Sequence, residues 1–181
     1  MINFYPGPSK IHKEYADIIS DLFQTDLVSY NHRSIEFSKA YNFSVQVLKQ
    51  KLELPEGYEI MFLSSATECW ESISRSFKNK KTAFLSNGSF GDKWANFGSK
   101  SISEYSITKY DSQDDIATYL ELKDCEIICY VQNETSNGTQ VSAKIQKEIR
   151  LKSPRALIAI DITSSLGGAK IDYKSGDILF S

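Results

Sequence analysis

From residue 58 onward, short apolar runs alternate with stretches of helical spacing. Tyr58-Glu59-Ile60-Met61-Phe62-Leu63 reads as a strand, and residues 67–76 as a helix. The same alternation predicts a strand at 82–85 and a helix at 90–100, then a strand at 104–109 and a helix at 113–120 capped by Ser112. A strand at 126–131, a helix at 141–150, a strand at 156–160 and the start of another at 177–180 complete the series. Strands that are apolar throughout and alternate with helices predict an α/β fold. Its sheet is mostly parallel and is covered by helices on both faces.

Two helices precede this unit. Residues 11–23 place Ile11, Tyr15, Ile18, Ile19 and Leu22 on one stripe. The second opens with Ser34-x-Glu36-Phe37 and stops before Pro55-Glu56-Gly57. The expected organisation is an N-terminal segment at 1–57 and a sheet-bearing unit at 58–181. The final run, Ile178-Leu179-Phe180-Ser181, is an apolar strand with no polar tail, which reads as a truncated chain.

Composition narrows the class. The chain has 181 residues, 41% hydrophobic and 24% charged, as expected of a globular domain with a real core. A net charge of -2 does not favour nucleic acid or an anionic membrane as partner. No apolar stretch approaches the roughly 18 to 20 residues of a membrane span, and the N-terminus lacks a signal-peptide pattern. A cytoplasmic location is expected. Cys69, Cys125 and Cys129 have no metal-ligand spacing, and no metal is expected. Extended chain would hold Cys125 and Cys129 roughly 13 Å apart, too far for a disulfide.

The chemistry lies at the strand ends. Ser64-Ser65-Ala66-Thr67-Glu68 joins a strand pattern to a helix pattern. Small residues there let backbone N–H groups approach a phosphate, and Ser65 and Thr67 add hydroxyl donors. A plain N-cap is the simpler alternative. Asn87-Gly88-Ser89-Phe90-Gly91 follows the next strand and leads to Trp94, which either stacks on a planar ring or anchors its helix in the core. Asn133-Glu134-Thr135 opens a polar cluster in which Thr135 or Asn133 suits a phenolate oxygen, unless the segment is a solvated turn. Asp161 ends an apolar run, where a carboxylate suits a cationic ring nitrogen; capping the next turn is the alternative. One rigid ligand carries a phosphate, a phenolate and a ring nitrogen: pyridoxal 5'-phosphate. His32-Arg33 adds a planar fork for a carboxylate or phosphate, or else a surface ion pair.

Five segments together resemble phosphoserine aminotransferases, class V members of the fold-type-I pyridoxal-phosphate superfamily. They are Asn3-Phe4-Tyr5-Pro6-Gly7-Pro8-Ser9, Asn31-His32-Arg33-Ser34-x-Glu36-Phe37, Ser64-Ser65-Ala66-Thr67-Glu68, Asn87-Gly88-Ser89-Phe90 and Asn133-Glu134-Thr135-x-x-Gly138. The resemblance implies that Ala66 and Thr67 bind the cofactor phosphate, Trp94 stacks on its ring, Thr135 bonds the phenolic oxygen and Asp161 holds N1. It implies that His32 and Arg33 bind substrate phosphate or carboxylate, reaching the partner subunit's site in a homodimer. The family's Schiff-base lysine follows a strand that resembles 177–181, a few residues further on. The family's next strand also lies beside the one that resembles 58–63, which would otherwise have no sheet neighbour.

The implied activity is transamination between 3-phosphohydroxypyruvate with glutamate and O-phosphoserine with 2-oxoglutarate, in serine biosynthesis. This chain alone is expected to be inactive. The Pro6-Gly7-Pro8 start also suits an alanine–glyoxylate or serine–pyruvate aminotransferase. A non-catalytic binding or dimerisation protein on the same fold is the third reading.

Overall fold

The computed structural model describes residues 10–111, 122 and 124–181. The opening motif at 3–9 and the expected helix at 113–120 lie outside the described residues. The chain divides into two compact units, Met1–Ile60 and Met61–Ser181.

The first unit holds α1 (Glu14–Gln24), a 3-10 turn (Asp26–Ser29) and α2 (Ile35–Lys51). Ser34 caps α2 as its position requires, its Oγ accepting from Phe37 N at 3.1 Å. Glu36 in the first turn and Lys49 and Lys51 in the last complement the helix dipole. Of the apolar stripe on α1, Tyr15, Ile18 and Ile19 are exposed and Leu22 is half-buried.

The second unit is an α/β layer structure. Its strands are β1 (Thr82–Ser86), β2 (Tyr105–Lys109), β3 (Ile127–Val131), β6 (Leu157–Asp161) and β7 (Ile178–Phe180). They pair in the order β2-β1-β3-β6-β7, and every pairing is parallel. A short antiparallel hairpin, β4 (Asn133–Glu134) with β5 (Thr139–Gln140), rises from the end of β3. The described helices of this unit are α3 (Ala66–Ser76), α4 (Ser89–Gly98) and α5 (Ala143–Lys152).

Alternation along the central strands sorts the core into two layers. On one face Ala83, Leu85, Ile128, Tyr130, Ile158 and Ile160 pack with Ile145 and Ile149 of α5. On the other Phe84, Ile127, Cys129, Val131 and Ala159 pack with Trp70 and Ile73 of α3 and Trp94 and Ala95 of α4. Burying each such large apolar side chain contributes roughly 1.5–3 kcal/mol. The layers clamp the sheet from both sides and hold its carboxyl ends, where the loops converge, in a fixed register.

The segment at 58–63 departs from expectation and forms no strand. Met61, Phe62 and Leu63 are 77%, 56% and 43% exposed. Strand preference is realised only against a neighbour that takes up the backbone hydrogen bonds. None of the described strands pairs with this segment. The hairpin and the 3-10 turns, one of them at Tyr173–Ser175, were not foreseen either.

Candidate active site

The order in which strands are added reverses at β1. From β1 the chain passes to β2 on one side, then returns to β3 on the other and continues outward. Ligands bind open α/β sheets at the carboxyl ends of strands flanking such a reversal. Here those ends carry the loop at 87–91 after β1 and the hairpin at 133–140 after β3.

The two loops are bonded into one rim. Asn87 Nδ2 donates to Thr139 Oγ1 at 2.6 Å, and Asn137 Nδ2 to the Asn87 carbonyl at 2.6 Å. Ser89 N donates to Ser136 Oγ at 2.9 Å. Thr135, half-buried, is the first turn residue of the hairpin, and its hydroxyl makes no hydrogen bond among the described residues. Phe90, at the start of α4, is 38% exposed, with Lys93 Nζ 5.1 Å from its ring centroid.

Asp161 is the last residue of β6, in register with Val131 of β3, and is 4% exposed. Its Oδ2 accepts from Trp70 Nε1 at 3.0 Å and its Oδ1 from Thr163 N at 2.9 Å. These occupy two of about four lone-pair positions on the carboxylate, leaving room for another donor. The turn-capping alternative is thus realised through Thr163 without exhausting the group. Trp70 comes from α3, four residues after Ala66, or about 6 Å along the helix axis. This hydrogen bond brings the amino end of α3 and Asp161 to one side of the sheet.

Ser65 caps that helix, its Oγ accepting from Glu68 N at 3.1 Å while keeping its own proton to donate. Glu68 reaches back, its Oε2 accepting from Ser64 N and Ser64 Oγ, each at 2.6 Å. Those two bonds hold the Glu68 carboxyl below its ordinary range. Ala66 N and Thr67 N make no hydrogen bond among the described residues, so two first-turn donors of α3 remain open. The amino end of α4 differs: Phe90 N and Gly91 N both donate to the Glu134 carboxylate, at 3.1 and 3.0 Å. Of these two helix ends at the sheet's ligand-binding edge, α3 is the one with room for an external anion.

Trp94 requires a correction. It is 1% exposed and enclosed by Trp70, Phe84 and Phe180, with ring centroids 6.2, 6.1 and 5.2 Å away. Its indole Nε1 has no partner among the described residues. A ring so enclosed offers no face to a ligand; Trp94 is the core anchor of α4. Gly91, Trp94, Ala95 and Gly98 are all buried and trace the inner stripe of that helix. The exposed aromatic of this loop is Phe90. Trp70 and Glu134 were not singled out from sequence. Trp70 was detectable as a tryptophan on the apolar face of α3, whose N–H needs a buried acceptor.

His32 and Arg33 belong to the first unit, exposed in the turn before α2, where Arg33 N donates to Asn31 Oδ1 at 2.8 Å. The Arg33 guanidinium forms no ion pair among the described residues. The constellation above is built entirely from the second unit.

The donor set fits pyridoxal 5'-phosphate. Open helix-end amides suit its phosphate, a buried acceptor suits its ring nitrogen, and the rim carries an exposed aromatic and a hydroxyl that is unpaired among the described residues.

Known proteins share this arrangement of elements. No family model matches the chain. A phosphoserine aminotransferase of Corynebacterium glutamicum is 30% identical over 177 residues, covering 96% of this chain and 46% of that protein. The crystal structure of a phosphoserine aminotransferase from Cytophaga hutchinsonii superposes with a TM-score of 0.85 at 32% identity, covering 96% of this chain and 49% of that one. A ureidoglycine–glyoxylate aminotransferase of Bacillus subtilis, 16% identical, covers 96% of this chain and 45% of its own and shares the fold with a TM-score of 0.77. The chain spans about half the length of the curated relatives it matches. Across about half of their length the chain is similar in sequence and in fold to these phosphoserine aminotransferases, and it shares the fold of the ureidoglycine–glyoxylate aminotransferase.

Proposed function

We propose that this chain is the cofactor-binding part of a pyridoxal-phosphate-dependent aminotransferase. It would interconvert 3-phosphohydroxypyruvate with glutamate and O-phosphoserine with 2-oxoglutarate, a cytoplasmic step of serine biosynthesis. The supporting observation is the Trp70–Asp161 hydrogen bond of 3.0 Å, which ties the open amino end of α3 to a buried carboxylate.

When bound, the cofactor supplies a protonated pyridine ring that draws negative charge away from the substrate's α-carbon. The residues of this chain do the rest. Asp161 accepts from the ring nitrogen and keeps its proton in place. Ala66 N, Thr67 N and the hydroxyls of Ser65 and Thr67 take the phosphate, aided by the positive end of α3. Thr135 donates to the phenolic oxygen, and Phe90 offers the flat face first expected of Trp94. Residues 58–181 are the cofactor-binding domain in this reading. His32 and Arg33, from residues 1–57, hold the substrate's phosphate or carboxylate in the partner's site of a homodimer. The exposed apolar stripe of α1 supports pairing with a second copy.

Fluorescence titration of the chain with pyridoxal 5'-phosphate tests the reading. Saturable binding is expected, about ten- to a hundredfold weaker in Asp161→Ala because one hydrogen bond to a charged group is lost. O-phosphoserine is expected to bind the loaded chain more tightly than alanine. Tighter alanine or glyoxylate binding would favour the alanine–glyoxylate type of reaction, and identical binding by Asp161→Ala would remove the assigned role of that carboxylate.

A further inference from the structure

Glu134 is a carboxylate inside the protein, 1% exposed, at the start of the hairpin. Among the described residues, every hydrogen-bond partner of its side chain is a donor, Phe90 N reaching Oε1 as well at 3.4 Å. Oε2 accepts from Phe90 N at 3.1 Å and Gly91 N at 3.0 Å. Oε1 accepts from Ser136 N at 3.1 Å and Ser136 Oγ at 2.6 Å. The Glu134 carbonyl accepts from Gly138 N at 2.9 Å. One residue therefore fixes two segments: the first turn of α4, which carries Phe90, and the hairpin turn, which begins with Thr135.

Gly88 supplies independent evidence that the fit is close. A Cβ there would lie 2.5 Å from Glu134 Cγ, 2.7 Å from Glu134 Cδ and 2.6 Å from Ser136 Oγ. Real Cβ atoms do not approach so near, so a side chain at 88 must displace the carboxylate. Helix caps ordinarily come from the residue just before the helix. Here the acceptor comes from a different strand, 43 residues away.

We propose that Glu134 is a positioning residue for the cofactor site proposed above. Its Oε2 sets the place of the Phe90 ring. Its Oε1 and carbonyl set the place of the Thr135 hydroxyl. Ring face and phenolate donor are thereby held in one fixed relation. The proposal rests on the cofactor reading and goes beyond it by naming what aligns its two contacts.

The test uses Glu134→Gln, which keeps the shape but turns a donor toward donors, and Gly88→Ala, which crowds the carboxylate. Pyridoxal 5'-phosphate is the probe. Readouts are the dissociation constant, the circular dichroism induced in the bound chromophore at saturation, and the melting temperature without ligand. Both variants are expected to bind about tenfold more weakly and to lose induced dichroism per bound cofactor. The double variant is expected to be no worse than either single one, because both act through the same contact. Should Glu134→Gln fail to fold, Ser136→Ala removes the Oε1 hydroxyl donor and is expected to change the same readouts less. An unchanged dissociation constant and dichroism, with only the melting temperature lowered, would mean that Glu134 merely stabilises the fold. Absence of binding by the unaltered chain would instead overturn the cofactor reading and this proposal with it.

Discussion

Cys69 reports on the charge at the centre of the site. It precedes Trp70 on α3. Burial raises its thiol above the ordinary cysteine value, and the nearby negative charge of Asp161 raises it further. A raised value means less thiolate at a given pH, and the thiolate is the nucleophile. Iodoacetamide is therefore expected to alkylate Cys69 more slowly at about pH 8 than a free thiol, with the rate still climbing above about pH 9. Asp161→Asn removes the second cause, so alkylation at the lower pH should speed up. Peptide mass mapping separates Cys69 from Cys125 and from Cys129, whose thiols burial also raises. An unchanged rate would place the carboxylate away from the thiol. Asp161 was legible because a single acidic residue ended an apolar run. Trp94 left both readings open in the sequence, because an aromatic after a glycine-rich loop looks alike whether it faces a ligand or the core. Its spacing with Gly91, Ala95 and Gly98 held the answer. Glu134 was hidden because nothing local distinguishes a turn glutamate from one folded inward over another helix.

Helix α4 lies against the sheet at Gly98. A Cβ there would meet Phe84 Cζ at 2.3 Å and its neighbouring ring atoms at 3.0 and 3.1 Å. Phe84 is 2% exposed and packs edge-on against Trp94 at a centroid distance of 6.1 Å. Alanine would gain up to about 1 kcal/mol of helix preference over glycine. Overpacking against a fixed ring costs about 1–3 kcal/mol, and contact this short puts the balance on the side of loss. Gly98→Ala is expected to lower the urea midpoint with the slope unchanged. Equal or greater stability would show that α4 is not seated this closely on β1. Most elements were visible in the chain's periodicity, because strands buried on both faces and two-sided helical stripes leave strong patterns. The segment at 58–63 carries a strand pattern too, yet a pattern records what a residue favours and not whether a neighbour exists. The hairpin at 133–140 was read as a polar cluster because each strand has two residues, too short to show alternation.

At the scale of the molecule, one loop-bearing edge of a parallel sheet gathers the proposed contacts. The packing that permits this is ordinary: α3 and α4 cover one face, α5 covers the other, and Trp70 crosses from helix to strand end to meet Asp161. No helix among the described residues is long and apolar enough to cross a membrane. The fold class was legible from alternation alone, and the grouping of Thr67 with Asp161 is an expectation from the rule that ligands bind at strand ends. The tie between α3 and Asp161 needed the tertiary structure, because it is a tryptophan hydrogen bond spanning 91 positions. The most direct measurement is an amide 1H–15N spectrum of the 15N-labelled chain titrated with pyridoxal 5'-phosphate. The Ala66 and Thr67 amides are expected to shift together with the Thr163 amide, along one saturation curve. Shifts at one end only, two separate saturation curves, or none at all would contradict that expectation.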